Sequence, residues 1–173
     1  MRAALFLICL ICTQLATAAD PVPGDAAPAL LGRDQHGESF DLAQWHGTVV
    51  VVTFWASWCP PCLKELPVLE ALQKQVPQAE LRVVGVNIED ASDYRRILKH
   101  LGQSELTFTN DRRGRIRDRY GVGPIPHLYL IDHEGKVAFE HVGYTPDQLD
   151  GFVEEINELL RRRHEALNAP GAG

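Results

Sequence analysis

The 173-residue sequence has few cysteines and no apolar run of membrane-spanning length. Only four cysteines are present, and two of them, Cys9 and Cys12, lie within the apolar residues 3–15 near the N-terminus. Beyond that stretch a single C-x-x-C pair remains, Cys59 and Cys62, whereas zinc sites usually combine two such pairs. The sequence therefore predicts no metal site, and residues 3–15 are too few to span a bilayer comfortably.

The sequence also has fewer basic than acidic residues. The chain has 17 lysine and arginine residues against 23 aspartate and glutamate residues, which gives a formal net charge of −6. Such an acidic protein is a poor candidate for nucleic-acid binding, and we expect no nucleic-acid partner. Arginines do cluster at positions 112, 113, 115, 117 and 119 and again at 161–163. We expect both clusters to be solvated helix surface.

The remaining composition is that of one globular domain, with 45% hydrophobic and 23% charged residues. Residues 1–19 combine Arg2, the apolar stretch and a run of small residues, which is typical of a secretory signal peptide. An uncleaved membrane anchor is the alternative interpretation. We predict a signal peptide at 1–19, a flexible tether at 20–28, a folded domain at 29–163 and a disordered tail at 164–173.

The most informative segment joins an apolar strand to the C-x-x-C pair. Residues 49–55 are rich in valine and aromatic side chains, which indicates a buried strand. Cys59-Pro60-Pro61-Cys62 follows, and apolar residues then recur at helical spacing. Pro60 and Pro61 fit the first turn of a helix, where their missing N–H groups would have no intrahelical partner. Cys59 is thus expected at the helix N-terminus with Cys62 one turn further on, an arrangement that favours dithiol–disulfide chemistry.

The rest of the chain alternates strands with helices. A hairpin turn is predicted at His36–Gly37, and Pro67 should kink the helix that follows the cysteines. Further strands are predicted at 81–87, 106–109, 127–131 and 137–141, and further helices at 92–101, 115–120 and from 146 onward. This order predicts an α/β sandwich with a mixed central sheet.

With these segments in place, the sequence resembles the thioredoxin-like superfamily, specifically its secreted TlpA/ResA/CcmG-like branch. Four blocks carry the resemblance: the hairpin at 32–42, the redox motif at 53–62, the loop at 120–126 and the hairpin at 130–137. The resemblance implies a three-layer sandwich with helices on both faces of the sheet and an N-terminal β-hairpin extension. It implies no cofactor.

Roles for the site residues follow from the motif and the resemblance together. The helix N-terminus favours a thiolate on Cys59, which is expected to attack a substrate disulfide, while Cys62 resolves the mixed disulfide. Trp58 should cover one side of the site. The resemblance implies a cis peptide bond at Pro126 and a substrate segment pairing with the backbone of Ile125. Pro60 and Pro61 are candidates for tuning, because they remove N–H donors that could stabilise the Cys59 thiolate.

Departures from the branch pattern add further candidates. Thr53 stands where classical thioredoxin has a buried carboxylate, so Glu89 or Asp90 is a candidate substitute proton acceptor. Pro124 stands where the branch usually has glycine. His127 also departs from the pattern, directly after the expected cis-proline. It either faces the dithiol and favours the Cys59 thiolate at lower pH, or packs on the far face of the sheet.

The resemblance implies a periplasmic thiol–disulfide oxidoreductase that reduces protein disulfides, for example in cytochrome c maturation or metal-site assembly. Its partners would be disulfide-bearing proteins and a membrane electron donor, and we expect a monomer. A disulfide oxidase or isomerase and a thioredoxin-fold peroxidase are the alternatives.

Overall fold

A seven-stranded sheet runs through the computed structural model, which describes residues 20–101 and 103–169. The predicted signal peptide and residues 170–173 of the predicted tail lie outside the described residues. The strands and helices, in chain order, are β1 Leu30–Asp34, β2 Ser39–Asp41, β3 Val49–Trp55, α1 Pro60–Gln75, β4 Leu81–Asn87, α2 Ala91–Leu101, β5 Thr107–Asn110, α3 Arg115–Arg119, β6 His127–Ile131, β7 Val137–Val142 and α4 Leu149–Leu167. Short 3-10 turns at Leu42–Trp45 and Pro146–Gln148 precede β3 and α4.

The sheet order is β2-β1-β5-β4-β3-β6-β7. Strands β3, β4 and β5 are parallel to one another, and every other neighbouring pair is antiparallel. All seven residues of β3 are buried, as expected for a valine-rich central strand that is covered on both faces. Because β3 leads directly into α1, the C-x-x-C pair lies at the edge of the sheet where the parallel strands end.

Helices cover both faces of the sheet. One core cluster joins the sheet to α1, α2 and α4, through side chains such as Leu66, Tyr94 and Ile156. The second cluster, on the opposite face, joins the sheet to α3 and the first 3-10 turn, through Ile116 and Leu42. The predicted three-layer α/β sandwich with a mixed sheet is therefore confirmed.

The N-terminal hairpin is also present, and it joins the main sheet. Gly37 takes a φ of 89° in its turn, a conformation that glycine adopts without steric penalty. Strand β1 pairs antiparallel with β5, with Arg33 opposite Asn110. The hairpin thus extends the sheet on the side away from β7.

Backbone hydrogen bonds and a helix end lie close to two of the predicted domain boundaries. The predicted tether is bound along the outer hairpin of the sheet, because Gly24 donates a 2.8 Å backbone hydrogen bond to Val137, and Ala27 donates one of 3.0 Å to Gly135. Val137 in turn donates to the carbonyl of Asp25. Proline-rich composition indicated flexibility, but unpaired backbone groups at the sheet edge provide partners for this segment. At the other end, α4 continues past the predicted boundary at 163 to Leu167.

No helix among the described residues is long and apolar enough to span a membrane.

Candidate functional site

Cys59 and Cys62 form a disulfide at the start of α1, with their Cα atoms 5.3 Å apart. Cys59 is the N-cap residue and has an extended backbone conformation, whereas Cys62 lies within the first turn. The side chain of Cys59 is 3% exposed and that of Cys62 is fully buried. Cys59 is therefore the cysteine that an incoming disulfide can reach.

The first turn of α1 points one backbone donor at the Cys59 sulfur. Pro60 and Pro61 carry no N–H group, so Cys62 supplies the first N–H of the helix, and it lies 3.3 Å from Cys59 Sγ. This hydrogen bond and the positive end of the helix dipole both favour negative charge on that sulfur. In the reduced protein the same geometry stabilises a Cys59 thiolate, although with fewer donors than a helix without the prolines would offer.

The loop before β6 faces the disulfide. The Ile125–Pro126 peptide bond is cis, as the family resemblance implies. The carbonyl oxygen of Ile125 lies 3.7 Å from Cys59 Sγ, which places this loop directly against the reactive sulfur. Trp58, two-thirds exposed, flanks Cys59 on the surface. The structure thus places the Ile125–Pro126 loop against Cys59, next to the exposed Trp58.

Glu89 accepts hydrogen bonds from the loop that precedes Cys59. Its carboxylate accepts hydrogen bonds from the backbone N–H and the hydroxyl of Ser57, each 2.7 Å long, and from the side-chain amide of Asn87. Partial burial would raise the pKa of Glu89, but the hydrogen bonds from Asn87 and Ser57 outweigh it and hold the pKa below its usual value. A carboxylate held in its ionised form by three donors is a poor proton acceptor.

Asp90 caps α2. Its Oδ1 accepts hydrogen bonds from the hydroxyl and backbone N–H of Ser92 and from the N–H of Asp93, and these bonds lower its pKa. Within the described residues, neither Glu89 nor Asp90 forms a hydrogen bond with either cysteine. We propose that both side chains have a structural role in place of the proton-acceptor role expected from the sequence.

His127 lies on the sheet face opposite the dithiol helix. In the β3–β6 register it opposes Phe54, which belongs to the second core cluster, and directly opposed residues share a face of the sheet. The ring stacks on Tyr129 with centroids 4.8 Å apart, and Nε2 lies 2.7 Å from a carboxylate oxygen of Glu140. Of the two positions expected for His127, the structure thus has the packed one.

Glu65, which no sequence pattern singled out, is a buried carboxyl group one helical turn after Cys62. Glu65 lies on α1 three residues after Cys62, and the two share the buried face of the helix. The hydroxyl of Thr53 donates a 2.6 Å hydrogen bond to Glu65 Oε2. Burial raises the pKa of Glu65 to about 7, although the bond from Thr53 opposes the shift.

The helical spacing could have revealed Glu65. Cys62, Leu66, Leu69 and Gln73 make up most of the buried stripe of α1, and Glu65 falls on the same stripe. A charged residue at such a position requires a polar partner, and Thr53 is the polar residue of the otherwise apolar β3. The sequence does not show how α1 packs against β3, and only this packing brings Glu65 to Thr53.

In the described part of the chain, no three His, Cys, Asp or Glu side chains converge in a way that could hold a metal ion.

Comparison with known proteins agrees with this geometry. Residues 23–140 match the AhpC/TSA family. The chain belongs to this family. The thiol-disulfide oxidoreductase ResA of Bacillus thuringiensis is 30% identical over 136 residues, which cover 77% of this chain and 78% of that protein. The protein of the same name from Geobacillus thermodenitrificans is 32% identical over 137 residues, 77% of each chain.

Solved structures show the same fold. A candidate thiol:disulfide interchange protein DsbE from Chlorobium tepidum superposes with a TM-score of 0.74 at 31% identity, covering 82% of this chain and 99% of that one. A second thiol:disulfide interchange protein of the thioredoxin family, from Chlorobium tepidum TLS, has a TM-score of 0.66 at 27% identity, with the same coverage. The resemblance to thioredoxin-like proteins is therefore confirmed. With the Cys59–Cys62 pair in place, this member of the AhpC/TSA family is a thiol–disulfide oxidoreductase.

Proposed function

We propose that this protein reduces disulfide bonds of other proteins in the periplasm, with Cys59 as the nucleophile and Cys62 as the resolving thiol. The observation that supports this assignment is the position of Cys59. It caps α1, accepts the Cys62 N–H at 3.3 Å, and lies 3.7 Å from the Ile125 carbonyl beside the exposed Trp58. Cys62, fully buried behind it, is out of reach of a protein substrate.

The reaction begins with the reduced protein. The Cys59 thiolate attacks one sulfur of the substrate disulfide, which forms a mixed disulfide and releases the other substrate sulfur as a thiolate. Cys62 then loses its proton and attacks Cys59 Sγ. The second substrate sulfur leaves as a thiolate, and both substrate thiolates take up protons, one supplied by Cys62 and one by solvent. The products are a substrate dithiol and the Cys59–Cys62 disulfide, so two electrons pass from the protein to the substrate.

Glu65 is the group that we assign to accept the proton of Cys62. A buried thiol resists ionisation, because the apolar interior disfavours its charged form. Glu65 is on the same buried helix face one turn away, and its pKa of about 7 is close to the ordinary thiol value of about 8.5. Such a match suits proton transfer. A cavity of about 30 Å³ borders Glu65 and has room for one or two water molecules, through which the proton can exchange.

The direction of electron flow rests on Pro60 and Pro61. A disulfide couple becomes more reducing when its thiolate form is less stabilised, and the two prolines withhold two helix N–H donors from Cys59. The signal-peptide pattern at 1–19 supports export. We assign electron supply to a membrane donor, disulfide-bearing proteins such as apocytochrome c or metal-site proteins as clients, and a monomeric state.

The decisive measurement is the equilibrium potential of the Cys59–Cys62 couple in glutathione and dithiothreitol buffers, read from intrinsic fluorescence. We expect a value below about −200 mV, on the reducing side of disulfide isomerases. A value near about −120 mV, typical of a disulfide-introducing oxidase, would contradict the reductase assignment and establish the oxidase alternative.

A further inference from the structure

The tertiary structure collects arginines from three separate elements around one groove. Arg33 comes from β1, Arg95 from α2, and Arg112, Arg113 and Arg115 from the segment 112–115, which ends at the first residue of α3. The groove has a volume of about 570 Å³, within the range of ligand-binding clefts. We call it the arginine groove. The sequence showed three of its arginines as a surface run, but the contributions of β1 and α2 appear only in the fold.

The arginine groove has an excess of unpaired positive charge in a protein of net charge −6. Within the described residues, the arginines that form ion pairs are Arg96, Arg161, Arg162 and Arg163, and none of these lines the groove. Arg33 donates one bond, to the backbone carbonyl of Gly37. The guanidinium groups of the groove therefore retain free donors for carboxylates.

Three carboxylates near the arginine groove accept hydrogen bonds from groups other than the groove arginines. Asp111 lines the groove, but its side chain is buried and accepts the backbone N–H groups of Ile116 and Arg117. Glu89 and Asp90, which follow β4, bind Ser57 and the start of α2 as described above. These three acids reduce the local positive potential without occupying the arginine donors, so the groove still presents a positive surface.

The arginine groove and the dithiol lie at the same edge of the sheet. Strands β3, β4 and β5 are parallel, so their carboxyl ends meet at one edge of the sheet. Cys59 follows β3 at that edge, and Asn110 and Asp111, which line the groove, end β5 at the same edge. Two strand spacings separate β3 from β5, about 10 Å across the sheet. An extended polypeptide covers 10 to 15 Å with about three to five residues.

We propose that the arginine groove binds acidic residues of the client proteins whose disulfides the dithiol reduces. The inference rests on the proposed reductase function and adds a client class to it: proteins with Asp or Glu about three to five residues from the reactive cysteine. Charge complementarity of this kind raises association rates and selects among partners. The occupant is a protein segment, because the groove and Cys59 lie at the same edge of the sheet, within reach of one extended chain.

The test compares two disulfide-bridged peptides that differ only in having Glu or Gln at three positions near the cystine. Single-turnover reduction by the reduced protein is measured at low ionic strength, and each rate is divided by the rate with the neutral 2-hydroxyethyl disulfide. The variants are Arg112→Gln/Arg113→Gln in the groove and, as a matched loss of two charges, Arg161→Gln/Arg162→Gln on α4. Both pairs are exposed, and circular dichroism verifies that each variant is folded.

We expect the native protein and the α4 variant to reduce the Glu peptide about tenfold faster than the Gln peptide at low salt. In the groove variant the preference should fall below about twofold, and 0.5 M salt should abolish it in the native protein. Equal rates with both peptides, or an equal loss of preference in both variants, would overturn the inference. Failure of the native protein to reduce 2-hydroxyethyl disulfide would instead contradict the reductase function itself.

Discussion

The hydroxyl of Thr53 donates a 2.6 Å hydrogen bond to Glu65, and both side chains are buried between β3 and α1. Thr53 occupies the strand position where the resemblance to classical thioredoxin leads one to expect a carboxylate. Here the carboxyl group comes from the helix and the strand supplies its donor. The site therefore keeps an internal acid next to Cys62, although the acid is attached to a different element.

The first prediction concerns this acid. Glu65→Gln retains an acceptor for Thr53 but cannot take a proton from Cys62. We expect the decay of the mixed disulfide to slow about 100-fold at pH 7, the lower end of the usual range for loss of a general base. Rapid-quench trapping of the mixed disulfide measures this step. Glu154→Gln, an exposed substitution on α4, is the control, and equal decay rates in the two variants would exclude Glu65 as the base.

Glu65 should also make stability depend on pH. Its pKa is about 7 in the folded protein and about 4.5 in the unfolded chain, so the folded state holds a proton that the unfolded state has lost between these values. The free energy of unfolding should therefore fall as pH rises from about 4.5 to 7, by on the order of 3 kcal/mol. Glu65→Gln should lack this decrease. Urea denaturation at pH 5 and pH 8 measures the free energy of unfolding of the native protein and of Glu65→Gln. The same pH dependence in the two proteins would contradict the prediction.

The serine variants of the two cysteines should behave differently in trapping experiments. Cys62→Ser keeps the accessible nucleophile and loses the resolving thiol, so we expect stable mixed disulfides with client proteins in a periplasmic extract. Cys59→Ser should form none, because Cys62 is fully buried. Non-reducing electrophoresis and mass spectrometry identify the adducts. Adducts that form through Cys62 in Cys59→Ser would reverse the assigned roles.

Glu89 should matter for stability more than for proton transfer. Glu89→Ala leaves the Ser57 N–H and hydroxyl without their acceptor, and we expect a loss of about 1–2 kcal/mol at pH 7. Because the folded pKa of Glu89 is lowered, its stabilisation is present above the unfolded value and disappears as pH falls through the folded one. Denaturation of the native protein and of Glu89→Ala between pH 7 and pH 3 shows whether their free energies of unfolding become equal at low pH. A constant difference down to pH 3 would contradict this expectation.

His127 should leave the thiolate unaffected. It contacts Tyr129 and Glu140 on the far face of the sheet, so His127→Thr should not shift the titration of Cys59 followed by absorbance at 240 nm. The same variant should unfold more easily, because it loses the ring stacked on Tyr129 and one of the two hydrogen bonds to Glu140. A displaced thiolate titration would restore the tuning role that the sequence left open.

The local sequence determined most of the architecture and the reactive pair. The valine-rich run of β3, the prolines after Cys59 and the helical spacing beyond them specify a strand, a helix start and a C-x-x-C pair within one short segment. These features depend on neighbours in the chain, where propensity, capping and periodicity act directly. For that reason the helix start predicted at Pro60 and Pro61 agrees with the structure, in which α1 is Pro60–Gln75.

Tertiary structure alone decided which distant residues meet. The register of α1 on β3 brings Glu65 to Thr53, the β3–β6 pairing turns His127 away from the dithiol, and the edge of β7 binds the segment that composition marked as flexible. The arginine groove likewise exists only because β1 pairs with β5 beside the starts of α2 and α3. Each of these contacts joins residues far apart in the chain, so its energy depends on packing geometry that no local pattern contains.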